Sequence, residues 1–266
     1  MPLLMEFLMI KLSSIVLAKN EEANIGRCIT SQLGIIDEIN VLIDNSTTDR
    51  TEEIVRQFPG VKYFPIKWEG YALTKQNGIE KTSNDWIFWI DADEAITPEL
   101  GRELTEWKSG NPQHDIFSVP RKAWFLGRWI RHCGWYPGRV PRLFNKRKVK
   151  FNNNLVHEGL EFTGEPGELK FPLDHFTDPS SEHYYNKFNH YTSLAANQLY
   201  DENKKSGIFE AYIRALSVFL KMYFLKSGFL DGAQGFILSF YSMNYVFTKY
   251  VKLWERNESR HNSQHK

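Results

Sequence analysis

The sequence predicts an α/β fold: a doubly wound, mostly parallel sheet followed by a C-terminal helical extension. Three observations carry that expectation. Four short apolar runs, near residues 13–18, 38–43, 61–64 and 86–90, alternate with helical patterns over the first hundred residues, the order in which parallel sheets with helices on both faces are built. The runs are rich in β-branched and aromatic residues at successive positions, as in strands buried on both faces. Beyond residue 181 the apolar residues instead recur in three- and four-residue steps, the period of helices.

Taken in order, Ser13-Ser14-Ile15-Val16-Leu17-Ala18 is the first strand. The polar turn Lys19-Asn20-Glu21-Glu22-Ala23-Asn24 follows, then a helix through Ile25, Cys28, Ile29 and Leu33, with Asn24 placed to cap it. The second strand, residues 38–43, runs into Asp44-Asn45-Ser46-Thr47-Thr48-Asp49. These short polar side chains make a turn and cap a helix over 50–58. Pro59-Gly60 stops that helix, and 61–64 is a third strand. A helix over 71–81 leads to the fourth strand, Trp86-Ile87-Phe88-Trp89-Ile90, which stops abruptly in Asp91-Ala92-Asp93-Glu94.

The 266 residues are enough for one large domain, or one domain with an appendage. A net charge of +1 argues neither for nor against nucleic acid. Cys28 and Cys133 lie too far apart for a metal-binding spacing and fit a reducing compartment. Residues 1–10 are apolar but lack a basic leader and a small-residue cleavage site, so no signal peptide is expected, and Met9 serves as well as Met1 for a start. No run reaches about 18 apolar residues, so no spanning helix is expected.

The ends of strands one, two and four all carry polar clusters, and in a parallel sheet these ends share the carboxyl edge where ligands bind. Asp91 and Asp93 are two apart, which on extended backbone puts both on one face. Two such carboxylates repel unless a cation or proton lies between them, and a divalent metal carrying a phosphate suits that place. Alone, Asp-x-Asp reads equally well as a solvated turn, with Glu94 and Pro98 opening a helix, and Asp44 alone reads as a cap. Three polar strand ends on one rim favour the ligand reading. No Gly-x-Gly-x-x-Gly and no Gly-Lys-Ser/Thr loop is present, so neither a dinucleotide fold nor a P-loop is supported.

Ile15-Val16-Leu17-Ala18-Lys19-Asn20-Glu21-Glu22, Asp44-Asn45-Ser46-Thr47-Thr48-Asp49-Arg50-Thr51, Lys75-Gln76-Asn77-Gly78 and Asp91-Ala92-Asp93 occur in that order. With these motifs the first hundred residues resemble glycosyltransferase family 2, with its GT-A fold. Gly134-Trp135-Tyr136-Pro137, Arg142-Leu143-Phe144, Val156-His157-Glu158 and Gly228-Phe229-Leu230-Asp231-Gly232 resemble a narrower branch, the bacterial lipopolysaccharide core β-1,4-glucosyltransferases and their relatives. The resemblance implies that Ala18, Asn20, Glu21 and Asp44 hold the base and ribose of a nucleotide-sugar donor. It puts Lys75 and Asn77 near the nucleotide and diphosphate, Asp91 on ribose or metal, and Asp93 on Mg²⁺ or Mn²⁺. That ion neutralises charge on the departing nucleoside diphosphate. The strand-two motif departs mildly from the family's commoner Asp-Ser/Gly-x-Ser-x-Asp at Asn45 and Thr47. The expected reaction is inverting transfer of a hexose, glucose from a UDP-sugar, to a bacterial surface glycan or lipopolysaccharide core. The expected domains are a GT-A-like catalytic domain over 1–180 (donor half 12–100, acceptor half 101–180), a helical extension over 181–255 and a disordered tail over 256–266. The alternatives are a nucleotidyltransferase using the same rim, and a non-enzymatic module for anionic ligands.

Between Ile116 and His157 there is no acidic residue but ten Lys and Arg, interleaved with Trp124, Phe125, Trp129, Trp135, Tyr136 and Phe144. A solvated basic hairpin, a nucleic-acid surface and a site for an anionic, sugar-bearing acceptor are all compatible with this. Balanced charge elsewhere and the carboxylate rim favour the acceptor, with Arg121, Trp135, Tyr136, Arg139 and Arg142 as contacts and no nucleic acid as partner. Inverting transfer needs a base for the acceptor hydroxyl: Glu158 is the first candidate and His157 its rival. His175 is either a satisfied core histidine or a contact to the diphosphate or metal. His157, His175 and His183 lack zinc spacing.

Helices are expected near 182–204, 208–226 and 232–254, the last with Phe236, Phe240, Met243, Phe247, Val251 and Trp254 as a stripe. The stripe packs on the catalytic domain or on a second copy in a homo-oligomer, or it lies on a membrane surface, with Arg214, Lys221, Lys226, Lys249 and Lys252 flanking it. A cytoplasmic protein, peripheral on the inner-membrane face, would follow from the last.

Overall fold

The computed structural model describes residues 9–151 and 159–264. Its sheet grows outward from β1 (Leu12–Ala18), which α1 (Ile25–Gln32) connects to β2 (Glu38–Asp44). Next come α2 (Thr51–Arg56), β3 (Lys62–Ile66), α3 (Tyr71–Glu80), β4 (Trp86–Asp91), β5 (Glu94–Ile96) and α4 (Pro98–Lys108). Then β6 (Ile116–Phe125), the short β7 (Arg128–Trp129) and β8 (Gly138–Asn145) follow. Three two-residue strands, β9 (Lys150–Phe151), β10 (Leu160–Glu161) and β11 (Gly167–Glu168), precede β12 (Leu173–Asp178).

Contacts among the described residues divide the chain into two compact units. One holds the residues up to Lys122 together with Pro137–Phe176; the other holds Ala123–Tyr136 and everything from Thr177 on. In the first unit the strand order is β3-β2-β1-β4-β8-β6-β12-β5. β1 runs parallel to both neighbours, with Val16 level with Val41 on one side and Ile90 on the other. Beyond β4 the sheet turns antiparallel, Ile87 pairing with Phe144 of β8.

The reason the strands read as continuous apolar runs is visible in the core. Leu12, Val16, Phe88 and Ile90 point to one side, with Ile25 and Ile29 of α1 and Leu100 and Leu104 of α4. Ile15, Ile87 and Trp89, the intervening positions, point to the other side with Ile79 of α3. Both faces are covered, and burial of each such side chain contributes about 1.5–3 kcal/mol. Pro65 sits in β3, at the edge of the sheet, where a missing ladder donor is tolerated.

Several local expectations are corrected. Asn24 does not cap α1 with its side chain; its Nδ2 donates instead to Glu21 Oε2 at 2.9 Å. α2 is shorter than 50–58: it starts at Thr51, whose N–H donates to Asp49 Oδ1 at 2.9 Å, and it ends at Arg56, beyond which the N–H groups of Gln57 and Phe58 bond to carbonyls three residues back at 3.1 Å. Glu94 opens no helix: it begins β5 and is wholly buried, while Thr97 caps α4, accepting from the N–H of Leu100 at 3.2 Å. β4 ends at Asp91, so Asp91 and Asp93 are not successive same-face positions of one strand.

The second unit is helical, built from α5 (Ser181–Asp201), α6 (Ile208–Leu220) and α7 (Gly232–Gln264). α6 runs on as one π-helical turn, Lys221–Leu225, and a 3₁₀ turn, Gly228–Asp231, precedes α7. Phe125, Ile130, Cys133 and Leu238 form its core, and Tyr184 of α5 stacks on Tyr241 of α7 with centroids 4.5 Å apart. Lys252 Nζ ties α7 to α5 through Thr192 Oγ1 and Ser193 Oγ, each at 2.8 Å. α7 continues beyond Trp254, where the sequence pattern suggests a stop. No described helix is long and apolar enough to cross a membrane.

Candidate active site

Strand register aligns the rim. Leu17 is level with Asp91, Ala18 with Ile43, and Asp44 with Ile66, so the loops after β1, β2 and β4 leave the sheet side by side. The first two loops are laced together. Asn20, in a left-handed conformation at φ 54°, accepts from the N–H of Thr48 at 2.8 Å. The N–H of Glu21 donates to Thr51 Oγ1 at 2.8 Å and that of Glu22 to Asp49 Oδ2 at 2.9 Å. Asp44 is buried, and its Oδ1 accepts from the N–H and the Oγ of Ser46, both at 2.8 Å. The Ser46 N–H above all holds this carboxyl below its ordinary value. Asp44 Oδ2 accepts no hydrogen bond within the protein, with Lys19 Nζ standing 3.4 Å away. The Lys19 ammonium is thus the counter-charge of Asp44.

At the next strand end, Asp91 is balanced by cations from two elements. Arg142 Nη2 of β8 donates to its Oδ2 at 2.6 Å, and Lys75 Nζ of α3 stands 3.6 Å from its Oδ1. Trp89 donates to the same Oδ1 through Nε1 at 3.1 Å. Its ring also carries both cations, Lys75 Nζ at 3.6 Å and the Arg142 guanidinium at 4.4 Å from the centroid, a cation–π arrangement. Burial alone would push Asp91 up; Arg142 and Lys75 outweigh it and hold the carboxyl well below the carboxylate range. Gly78 explains how Lys75 gets there. A Cβ on Gly78 would come within 2.5 Å of Leu42 Cδ1, so glycine lets α3 lie close on the sheet. Residues three apart share a helix face, and Lys75 is thereby turned inward.

Glu94, one residue beyond the Asp-x-Asp, completes the cluster. It accepts from Arg142 Nη2 at 2.6 Å and from the N–H of Asp91 at 3.1 Å. Burial pushes its carboxyl up despite Arg142. Asp93 lies in the turn between β4 and β5, its Oδ2 3.3 Å from His175 Nε2. β5 and β12 bring the two together: His175 is level with Glu94, and the N–H of Phe176 donates to the carbonyl of Asp93 at 2.8 Å.

Among the described residues no three carboxylate, imidazole or thiol groups form a metal cage. A Mg²⁺ or Mn²⁺ ion carried on a diphosphate needs only one or two protein carboxylates, and neighbouring ligands in its octahedral shell stand about 3 Å apart. Asp93, partly exposed in the β4–β5 turn with His175 Nε2 3.3 Å away, is the carboxylate that fits that requirement. Asp91 fits it less well, since its charge is already balanced.

The remaining predicted residues are scattered. Asn77 Nδ2 donates to Glu69 Oε2 at 3.3 Å. Arg121 stands 3.6 Å from Glu94, and Arg139 reaches Glu168 at 3.2 Å and the carbonyl of Leu169 at 3.1 Å. Arg142 is buried in the carboxylate cluster. Trp135 and Tyr136 belong to the helical unit. Glu158 and His157 lie outside the described residues. Much of the basic run is thus matched by the protein's own acids, including Lys122 with Asp174 and Arg147 with Asp85, both at 2.9 Å. Sequence reasoning missed Glu94 as a buried anchor and Trp89 as a cation platform. The one available signal was that Glu94 directly continues an apolar strand and its acidic end.

Similarity to known proteins agrees with this geometry. Residues 13–160 match the family described as "Glycosyl transferase family 2". The chain is 29% identical over 252 residues to the lipopolysaccharide core biosynthesis glycosyltransferase LpsC of Rhizobium meliloti, covering 92% of this chain and 93% of that one. It is also 29% identical over 259 residues to an uncharacterised glycosyltransferase of Rickettsia typhi, covering 93% and 87%. Among solved structures, the mannosyltransferase PcManGT of Pyrobaculum calidifontis superposes with a TM-score of 0.53 at 12% identity, covering 91% of this chain and 86% of that one. This likeness extends to the GT-A fold. With its rim of three polar strand ends on such a sheet, and a family match over more than half its length, the chain belongs to glycosyltransferase family 2.

Proposed function

We propose that this chain transfers a hexose, with glucose from a UDP-sugar as first candidate, to a lipopolysaccharide core acceptor, inverting the anomeric centre. One observation carries the reading: Asp44, paired with Lys19, and Asp93, paired with His175, stand at the ends of β2 and β4 on one strand-end rim. Two likenesses support it. PcManGT was solved with GDP-mannose and Mn²⁺, and LpsC is named for lipopolysaccharide core biosynthesis.

In this reading Ala18, Asn20, Glu21 and Asp44 hold the base and ribose, and Lys75 and Asn77 stand by the diphosphate. Asp93 and His175 hold Mg²⁺ or Mn²⁺. The ion, when bound, supplies Lewis-acid stabilisation of charge on the leaving diphosphate. Arg142 and Lys75 keep Asp91 ionised and oriented, whether it faces the ribose or the ion. Glu158, or His157 in its place, takes the proton of the acceptor hydroxyl. Attack from the side opposite the departing diphosphate inverts the sugar. Of the expected acceptor contacts, Arg121 and Arg139 stand on the acceptor side, Arg142 being committed to Asp91 and Glu94. The acceptor is lipid-anchored, and the enzyme meets it at the cytoplasmic face of the inner membrane.

The test is calorimetric titration of UDP-glucose and UDP with and without Mn²⁺, repeated on Asp93→Ala. Metal-dependent binding lost in the variant is expected. A folded sample that binds no common nucleotide sugar overturns the proposal.

A further inference from the structure

The turn between α6 and α7 exposes what a folded domain ordinarily hides. Leu225 is 79% exposed, Phe224 55%, Leu230 54% and Phe229 49%, with Leu220 and Phe236 beside them at 45% and 47%. Contiguous exposed apolar surface on this scale marks an interaction site. The turn is not a loose end. The buried Asp231 carboxylate accepts from the backbone N–H of His132 at 2.8 Å, from that of Arg131 at 3.2 Å, and from His132 Nδ1 at 3.1 Å. The N–H of Cys133 donates to the carbonyl of Lys226 at 2.9 Å. Ser227 holds a left-handed φ of 53°. A Cβ on Gly235 would fall 1.9 Å from the carbonyl oxygen of Gly228, so the start of α7 is pressed directly against the turn. These ties fix the backbone of the turn that carries the exposed apolar side chains.

The surrounding charge selects the partner. Lys221 and Lys226 flank the apolar tip and are exposed, and Arg128 reaches the carbonyl of Leu230 at 3.4 Å. From residue 211 to residue 254 the chain carries five Lys and Arg and a single acid, Asp231, which is buried and engaged. A second copy docking by the same face would bring more lysine and no exposed acid of residues 211–254 to meet Lys221 and Lys226. Aromatic and aliphatic side chains ringed by lysine instead match the boundary between acyl chains and anionic headgroups.

We infer that residues 220–236 form a docking surface for an anionic lipid bilayer, with Phe224, Leu225, Phe229 and Leu230 inserted among the headgroups and Lys221, Lys226 and Arg128 on lipid phosphates. As a device for meeting a lipid-anchored acceptor, it rests on the function proposed above.

The test is flotation of the full chain with vesicles of phosphatidylcholine alone, and of phosphatidylcholine with phosphatidylglycerol. The variants are Leu225→Ser with Leu230→Ser and, separately, Lys221→Glu with Lys226→Glu. All four positions are solvent-exposed, so both variants fold, as circular dichroism checks. UDP titration and light scattering accompany each sample. The wild type floats with the phosphatidylglycerol vesicles, and each double variant loses roughly tenfold of that binding with UDP affinity unchanged. Wild-type protein that ignores anionic vesicles overturns the inference, and so do variants that float like the wild type. A dimer that Leu225→Ser with Leu230→Ser splits into monomers also overturns it, in favour of a second copy. Vesicle binding retained by protein that binds no nucleotide upholds the surface while removing the transferase reading.

Discussion

Arg142 donates to Asp91 across 2.6 Å, joining β8 to the end of β4, and the same nitrogen reaches Glu94 at 2.6 Å. One guanidinium is therefore shared by two carboxylates, one of them wholly buried. Removing it leaves the buried Glu94 with only the more distant Arg121, 3.6 Å away, as ion-pair partner, which costs about 3–5 kcal/mol. Urea unfolding of Arg142→Met reads this loss directly. Adding Glu94→Gln to the same chain recovers part of it, because the stranded charge is gone.

His175 should report on the metal separately from the nucleotide. Calorimetry of UDP in Mn²⁺ is expected to show about tenfold or weaker binding for His175→Ala. Binding measured in chelator should match the wild type, since the ring touches Asp93 and not the Asp44 loop. Equal loss in both conditions would assign His175 a packing role instead.

The far edge of the sheet sets an acid limit. Burial pushes Glu38 up, but Lys62, Ser13 and Ser83 outweigh it and bring its carboxyl down to about 2 from an ordinary 4.5. A group lowered in the folded state adds stability above its unfolded value and loses it as pH falls through the folded one. Stability should thus decline between about pH 5 and pH 2, by up to about 3 kcal/mol from this residue. Asp91 adds to the same decline, while Glu94, pushed up by burial, opposes it. Urea midpoints across this range should flatten in Glu38→Gln.

Two glycines should respond in opposite directions to alanine. In Gly235→Ala the new Cβ meets backbone of Gly228 at 1.9 Å, with nothing flexible to yield, and a loss of about 3 kcal/mol or more is expected for the helical unit. In Gly26→Ala, a position inside α1, the nearest atom is Ile54 Cγ2 of α2 at 3.5 Å, an ordinary contact. There the helix should gain about 0.5–1 kcal/mol. Thermal melts followed by circular dichroism distinguish the two.

The parallel half of the fold and its rim were legible because both depend on local pattern. Val16, Val41 and Ile90 mark strands buried on two faces, and Lys19–Asn24, Asp44–Asp49 and Asp91–Asp93 mark where those strands stop. The cap at Asn24 and the solvated-turn alternative at Glu94 failed for a common reason. A short polar side chain before a helix suggests a cap, and a glutamate after a strand suggests solvent, but each had a partner the local pattern does not specify. Asn24 found Glu21, and Glu94 found Arg142.

What the sequence determined by itself was the order of strands and helices, the polar strand ends, and the helical periodicity of the last third. Only the tertiary structure decided how the charges are shared. Arg142 lies 51 residues from Asp91 and reads in sequence as one cation in a basic run available to an acceptor. It became the counter-ion of the rim because β8 pairs antiparallel with β4. The exposed turn at Leu225 and Leu230 was settled in the same way, by Asp231 and Gly235 closing the packing behind it. Periodicity tells which residues want burial; strand register and close backbone approach choose which of them get it.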